Sequence, residues 1–194
     1  MQSPVDEITS VVKGLIEAPT ADAQRAVLTR YFSPDASFDH PLCAVASTSG
    51  SRDAGVLPVY QWLRMMFTPT IKVTSVALDS EHNRLYIDAA QTLQANLPPL
   101  SWVYAPTCRL VVLLDLHRGG DGLFYVHRQQ DFYEPQVMPG QLVPGGWTII
   151  NLIKLCSGFG CAIMAMMVMF LIGYWKPTAG KSPVGKAING KKAT

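Results

Sequence analysis

The string YVHRQQDFYEP, residues Tyr125 to Pro135, holds the residue types best suited to moving a proton. An imidazole with an unperturbed pKa of ~6.5 suits a general base at His127. A carboxyl group in an apolar cavity has its pKa raised and can serve as an acid, the role open to Asp131. On an extended strand these two share a face and lie on the order of 13 Å apart, so they would act from opposite ends of a cavity and not as a dyad. Tyr125, Gln129 and Tyr133 fall on the same face and would contact a ligand. A tyrosine hydroxyl there could donate to a developing enolate oxygen. The alternative pair is Asp39 and His40, adjacent on a strand, of which only one can point inward.

Which face is internal depends on a hairpin. Leu116 and Leu123 flank HRGGDG, where the glycines mark a turn. A Gly119-Gly120 turn pairs Leu116 with Leu123, Leu114 with Tyr125 and Val112 with His127. Cys108, Leu110, Val112, Leu114 and Leu116 are the more apolar side of their strand and should look inward. Cross-strand partners share a face, which sends His127 and Asp131 inward and leaves Arg128 and Gln130 outside. A loop of three or five residues would reverse that parity.

The elements that must position these residues are legible in outline. Ser3-Pro4 starts a helix, with a capping hydroxyl and a proline whose missing N–H costs nothing there. Val5, Ile8, Val11, Val12, Leu15 and Ile16 recur at helical spacing. A second helix follows Pro19-Thr20 with Ala23, Val27, Leu28 and Tyr31 on one side, and stops before Pro34. Ala36 to Val45 is short extended structure. A third helix fits Asp53 to Phe67 with Pro58 in its first turn. Strands are expected over Ile71 to Leu78, Leu85 to Leu97, Trp102 to Leu116 and Leu123 to Tyr133. Helices gathered first and strands last predict an α+β fold, three helices lying on a curved antiparallel sheet around a cone-shaped apolar cavity. Trp62, Trp102 and Tyr104 are read as cavity wall that contacts the ligand.

Charge divides the chain. Before Trp147 there are 10 Lys/Arg and 14 Asp/Glu; from Trp147 onward there are six Lys and no acidic residue. The basic balance therefore belongs to the C-terminal region, and the domain is not expected to bind nucleic acid. Cys43, Cys108, Cys156 and Cys161 form no CxxC pair and read as buried free thiols. His40, His82, His117 and His127 are scattered, so neither a metal nor any other cofactor is expected. No phosphate-binding loop is present. Asp88 alternates with Leu85 and Ile87 and should face solvent or a dimer partner. The start, MQSPVDEITSVVKG, reads as neither a secretory signal nor a transit peptide.

Leu155 to Trp175 runs 21 positions without a charged side chain. As a helix it would reach ~31 Å, about the thickness of a bilayer's hydrocarbon core. Trp147 and Tyr174-Trp175 suit the two interfaces, and Lys154 can snorkel outward. The expected organisation is a domain over 1–136, a linker over 137–148, a membrane helix over 149–175 and a basic disordered tail over 176–194. Lys191-Lys192-Ala193-Thr194 looks like a dilysine retrieval signal of endoplasmic-reticulum membrane proteins. A cytosol-facing domain is expected, with the side of the tail left open.

Four strings carry a family resemblance: RYFSPDASFDHPLC (Arg30 to Cys43), VYQWLRMMFTPTIKVTSVALD (Val59 to Asp79), NRLYIDAAQT (Asn83 to Thr92) and YVHRQQDFYEP. Together they resemble the NTF2-like superfamily, and within it the fungal SigF-like proteins, many of which end in an apolar segment. The resemblance implies a cone-shaped α+β barrel, often dimeric through its sheet, and a fungal source. It does not fix an activity, because the superfamily holds isomerases, dehydratases, cyclases and non-catalytic adaptors. His40-Pro41 is followed by Leu42-Cys43-Ala44, where the family would place a bulkier residue and then Cys-Arg.

Two readings follow. One is a membrane-anchored, non-catalytic module holding a small apolar ligand or lipid. The alternative is a membrane-tethered isomerase, dehydratase or cyclase acting on a polyketide or terpenoid. An enzyme requires a buried carboxylate or histidine within reach of a second polar group; a binding module requires only an apolar or filled cavity.

Overall fold

The computed structural model describes residues 1–96, 105–133 and 145–172, which form two compact units, Met1–Trp147 and a second from Thr148 onward. In the first unit, helices α1 (Pro4–Ile16) and α2 (Ala21–Tyr31) precede strands β1 (Phe32–His40) and β2 (Cys43–Val45). A π-helical turn, Arg52–Val56, leads into α3 (Leu57–Met66), and strands β3 (Phe67–Asp79), β4 (Arg84–Ala95), β5 (Thr107–Arg118) and β6 (Phe124–Tyr133) follow. The six strands form one sheet in the order β2-β1-β6-β5-β4-β3.

Helix α1 begins where Ser3-Pro4 places it, but the capping works differently. The Ser3 hydroxyl bonds Asp6 at 2.5 Å, while the Glu7 carboxylate accepts the Gln2 and Ser3 backbone N–H groups at 2.6 and 2.8 Å. Those two bonds hold the Glu7 carboxyl below its usual range, the Ser3 amide contributing most. Thr20 caps α2 by accepting from the Ala23 N–H at 3.1 Å. The third helix is divided: the expected start near Asp53 is a π-helical turn, and Pro58 stands in the first turn of α3.

The helices lie on the sheet's apolar face. Ile8, Val11 and Leu15 of α1 and Leu28 of α2 join Leu85, Ile87, Ala89, Leu110, Val112, Leu114 and Val126 in one core. Polar contacts, buried at Gln24 and partly buried at Glu17, link the layers. The Gln24 amide donates to the Leu15 and Tyr60 carbonyls at 2.7 and 3.3 Å, tying α1, α2 and α3 together. The Glu17 carboxylate accepts the Ile71 N–H at 2.7 Å, fastening the end of α1 to β3.

Two features of the sheet differ from the sequence reading. It is mixed, because β1 runs parallel to β6, with Phe38 opposite Gln129 and Asp39 opposite Gln130. The β5–β6 hairpin also has a longer loop: Arg118 pairs with Phe124, leaving five residues, Gly119 to Leu123, between them. Gly122 takes a φ of +80°, a conformation that glycine adopts without a Cβ penalty.

Helix α4 spans Gly146–Leu171, all but its first two residues belonging to the second unit, and is long and apolar enough to cross a membrane. It starts three residues before the expected 149. Most of the expected linker, Tyr174-Trp175 and the 176–194 tail with its dilysine lie outside the described residues.

Candidate functional site

The hairpin decides which β6 side chains face the inner side of the sheet. A five-residue loop reverses the parity next to the turn, so Tyr125 lies opposite His117 on the outer face. A bulge then intervenes: Asp115 pairs with Arg128 while Leu116 pairs with Val126, and His127 is the extra residue. Beyond the bulge the parity is restored. Leu114 pairs with Gln129, Val112 with Asp131 and Leu110 with Tyr133. Gln129, Asp131 and Tyr133 therefore share the inner side with buried apolar partners from β5, as expected, and Arg128 and Gln130 turn outward. Tyr125 and His127 do not join them.

Around Asp131 the inner polar groups form a chain. Tyr60, on the buried side of α3, donates its hydroxyl to Gln129 Oε1 at 2.7 Å. Gln129 Nε2 donates to Asp131 Oδ1 at 2.9 Å. On the next strands, the Tyr133 hydroxyl donates to Gln91 Oε1 at 3.2 Å. No described residue donates to Asp131 Oδ2. Burial pushes the Asp131 carboxyl up to about 7, with the Asp39 charge adding to the rise and the Gln129 amide opposing it. The residue as a whole is half-buried, while its carboxyl end is the part most shielded by protein. Tyr60 and Tyr133 are both held above the usual phenol range, first by burial and then by the Asp131 charge. They stay protonated hydrogen-bond donors.

The alternative pair divides as geometry requires. His40 turns inward, its ring 6.1 Å from Phe38 and 5.0 Å, edge to face, from Tyr133. Asp39 faces out, 3.7 Å from the Arg128 guanidinium and 3.5 Å from the Gln130 amide. Burial lowers the His40 pKa, with the neighbouring Asp39 opposing the shift. The Cys43 thiol, across the β1–β2 turn, is raised by desolvation and then by Asp131. So β1, β2, β4, β6 and α3 bring His40, Cys43, Gln91, Gln129, Asp131, Tyr133 and Tyr60 to one end of the sheet.

His127 belongs to a separate outer cleft of about 690 Å³, lined with Ser33, Asp35, Arg52, His117 and Tyr125 among others. Its side chain is 43% exposed, and its Nδ1 lies 3.4 Å from the Ser33 hydroxyl and 3.6 Å from Asp35. Both neighbours meet the same ring nitrogen, whereas a serine–histidine–aspartate relay uses the two different nitrogens. The Ser33 hydroxyl and then its own backbone N–H hold the Asp35 carboxyl below its usual range, with His127 adding less. Tyr125 instead donates to Asp121 at 2.6 Å.

Trp62 is 53% exposed on α3, in edge contact with Phe67 at 6.3 Å, and is not cavity wall. The same helix buries Tyr60, and Trp62 falls on the opposite side of that turn. Trp102 and Tyr104 lie outside the described residues. All four cysteines are free, but only Cys108 is buried. Among the described residues no group of three or more His, Cys, Asp or Glu could hold a metal ion.

Sequence reading missed Tyr60 and Gln91 as site residues. Each carried a signal. A tyrosine in the apolar stripe of a helix needs a partner for its hydroxyl when buried. Gln91 continues the inward series Leu85, Ile87, Ala89 and is the one polar member of it.

The family model of the SigF NTF2-like domain matches residues 1–174. Among solved structures, a Catenulispora acidiphila protein with a ketosteroid isomerase-like fold, solved in complex with trimethylamine, is 14% identical. That match covers 73% of this chain and 96% of the other, with a TM-score of 0.53. A proposed polyketide cyclase from Xanthomonas campestris pv. campestris is 17% identical over 73% of this chain and all of its own, with a TM-score of 0.52. At such identities the likeness establishes the fold alone. No protein of curated function matches the chain.

Proposed function

The chain belongs to the SigF NTF2-like family, and on that premise we propose that its cone holds a small, neutral, largely apolar molecule and moves a proton on it, with Asp131 as the acid–base group. One observation carries this reading: a carboxyl on the inner side of β6, pushed up to about 7 by burial, with one oxygen held by Gln129 and no donor to the other among the described residues. A pKa near the working pH gives useful amounts of both protonation states, the condition for general acid–base catalysis. Among the described residues no cation acts on Asp131, so a neutral substrate suits this end of the sheet better than an anionic one. Phe38, Val112 and Leu110 supply apolar wall.

The chemistry suited to these groups is enolisation beside a carbonyl. The Asp131 carboxylate takes a proton from carbon, the C–H electrons form a carbon–carbon double bond, and the carbonyl becomes an oxyanion. Returning the proton to another carbon completes an isomerisation; loss of a hydroxide with that proton completes a dehydration. An enolisable polyketide or terpenoid ketone fits this class.

The test is proton exchange. The full chain in detergent should accelerate deuterium uptake from D2O by cyclic enolisable ketones. Asp131→Asn should lower that rate by ~10²–10⁴-fold with the fold intact, while His127→Ala should leave it within about twofold. Equal rates for Asp131→Asn and the unmodified protein contradict the acid–base role.

One observation favours the non-catalytic reading, a module holding a lipid or apolar ligand. The Tyr60 and Tyr133 hydroxyls already have internal acceptors, as in a lining that only packs. Bound ligand without exchange would support it.

For placement, α4 serves in this reading as a single-pass anchor, with the domain on the cytosolic side of the endoplasmic reticulum membrane. Tethering suits a substrate that partitions into lipid. A second copy would pack on the outer sheet face, where Arg84–Asp115 and Arg109–Asp88 pairs at 2.9 and 2.6 Å flank exposed Val111 and Phe132.

A further inference from the structure

His40 sits at the last position of β1, where Pro41 and Leu42 turn the chain into β2 and His40 pairs with Cys43. The turn closes on the histidine's own ring: the Leu42 N–H donates to His40 Nδ1 at 3.1 Å. A backbone N–H can donate only to a nitrogen that carries a lone pair. The bond therefore fixes the tautomer, leaving the proton of the neutral ring on Nε2. Protonating the ring would set an N–H against the Leu42 N–H and would charge a group that burial already disfavours. Backbone geometry and desolvation thus act in the same direction.

Among the described residues nothing accepts a hydrogen bond from Nε2. The ring nevertheless stands 5.0 Å from the ring of Tyr133, on the side of the sheet that carries Asp131. The His40 ring is half-buried, so its Nε2–H is left for a ligand or a water to accept. Among the described residues two groups on this side of the sheet lack a hydrogen-bond partner, the carboxylate Oδ2 of Asp131 and the Nε2–H of His40, and the Tyr133 ring packs against that of His40.

Resting on the acid–base reading of Asp131, we propose that His40 is the neutral electrophile of this site, its Nε2–H donating to the ligand oxygen on which negative charge develops. A neutral imidazole is a weak acid, so it stabilises an oxyanion by hydrogen bonding without surrendering its proton. The proton that leaves carbon goes to Asp131, the electron pair goes to the oxygen facing His40, and the ring is unchanged at the end. The role also explains why a histidine stands before Pro41: the two-residue turn supplies the N–H that locks the ring. His127 has no such lock and serves no comparable purpose.

The test has two arms on the full chain in detergent micelles. Long-range 1H–15N correlation of histidine-labelled protein at about pH 7 should show His40 Nδ1 as an unprotonated acceptor and Nε2 as the protonated donor. A protonated Nδ1, as either the other tautomer or an imidazolium, overturns the proposal. The second arm titrates 2-naphthol, a flat apolar body whose oxygen mimics an enolate. His40→Ala should weaken its binding by ~10-fold, the effect of losing one hydrogen bond to the naphthol oxygen. His40→Gln, whose amide N–H reaches the same position, should recover binding to within ~3-fold. Unaltered signals from His82 and His117 report that each variant is folded. Binding that is equally tight in His40→Ala overturns the role of His40 alone, leaving Asp131 untouched. If 2-naphthol does not bind the unmodified chain, the ligand site at Asp131 falls and this assignment falls with it.

Discussion

Asp131→Asn should stabilise the folded domain at pH ~8.5 by roughly 2–4 kcal/mol and should be nearly neutral at pH ~4. The folded carboxyl titrates at about 7 against a reference of 3.8. Between those values the folded chain retains a proton that the unfolded chain releases. More protons bound in the folded state means that stability falls as pH rises from about 4 to about 7 and then levels off. Asparagine keeps an oxygen for the Gln129 amide and removes the charge that burial penalises, so its advantage grows across that window. The lower end of the range allows for the solvent that reaches a half-buried side chain. Urea denaturation of the Met1–Trp147 unit at both pH values measures the difference. A variant less stable than the parent at pH ~8.5 would mean that the carboxylate is well solvated or paired, and the raised pKa would be wrong. A functional group held at a cost in stability is a common signature of a working site.

The second large effect concerns α4. Removing Thr148 to Thr194 should move the protein from the membrane pellet to the soluble fraction with its domain folded. Helix α4 exposes Ile149, Leu152, Leu155, Phe159, Met166 and Phe170 around its circumference, an arrangement costly in water and natural in a hydrocarbon medium. The remaining unit keeps its own core, Leu28, Leu85, Ile87 and Val126 being fully buried without any residue from α4. Carbonate washing followed by centrifugation separates the outcomes. A truncated chain that still pellets would contradict the anchor, as would a full chain that never did.

Much of this fold was legible because its elements obey local rules. The 3.6 spacing of Ile8, Val11 and Leu15 and the alternation in Leu85, Ile87 and Ala89 each mark a buried face from sequence alone. The parallel pairing of β1 with β6 was not legible, since it joins residues about ninety positions apart and leaves no periodic trace. The site shows a subtler limit. HRGGDG offers glycines at several places, so the loop length could not be read, and the actual five-residue loop reversed the expected parity. The bulge at His127 then reversed it again. Gln129, Asp131 and Tyr133 were placed inside because the two parity reversals cancel. Tyr125 and His127, lying between those reversals, were placed on the wrong side. His40 and Asp39 needed no such luck, because neighbours on a strand must face apart.

The central claim is that Asp131 is a buried carboxyl able to give and take a proton near neutral pH. Its side-chain carboxyl carbon can be followed by 13C NMR from pH ~4 to pH ~9, assigned by the signal that disappears in Asp131→Asn. The expected midpoint is near 7. A midpoint near 4 would contradict the acid–base role of Asp131.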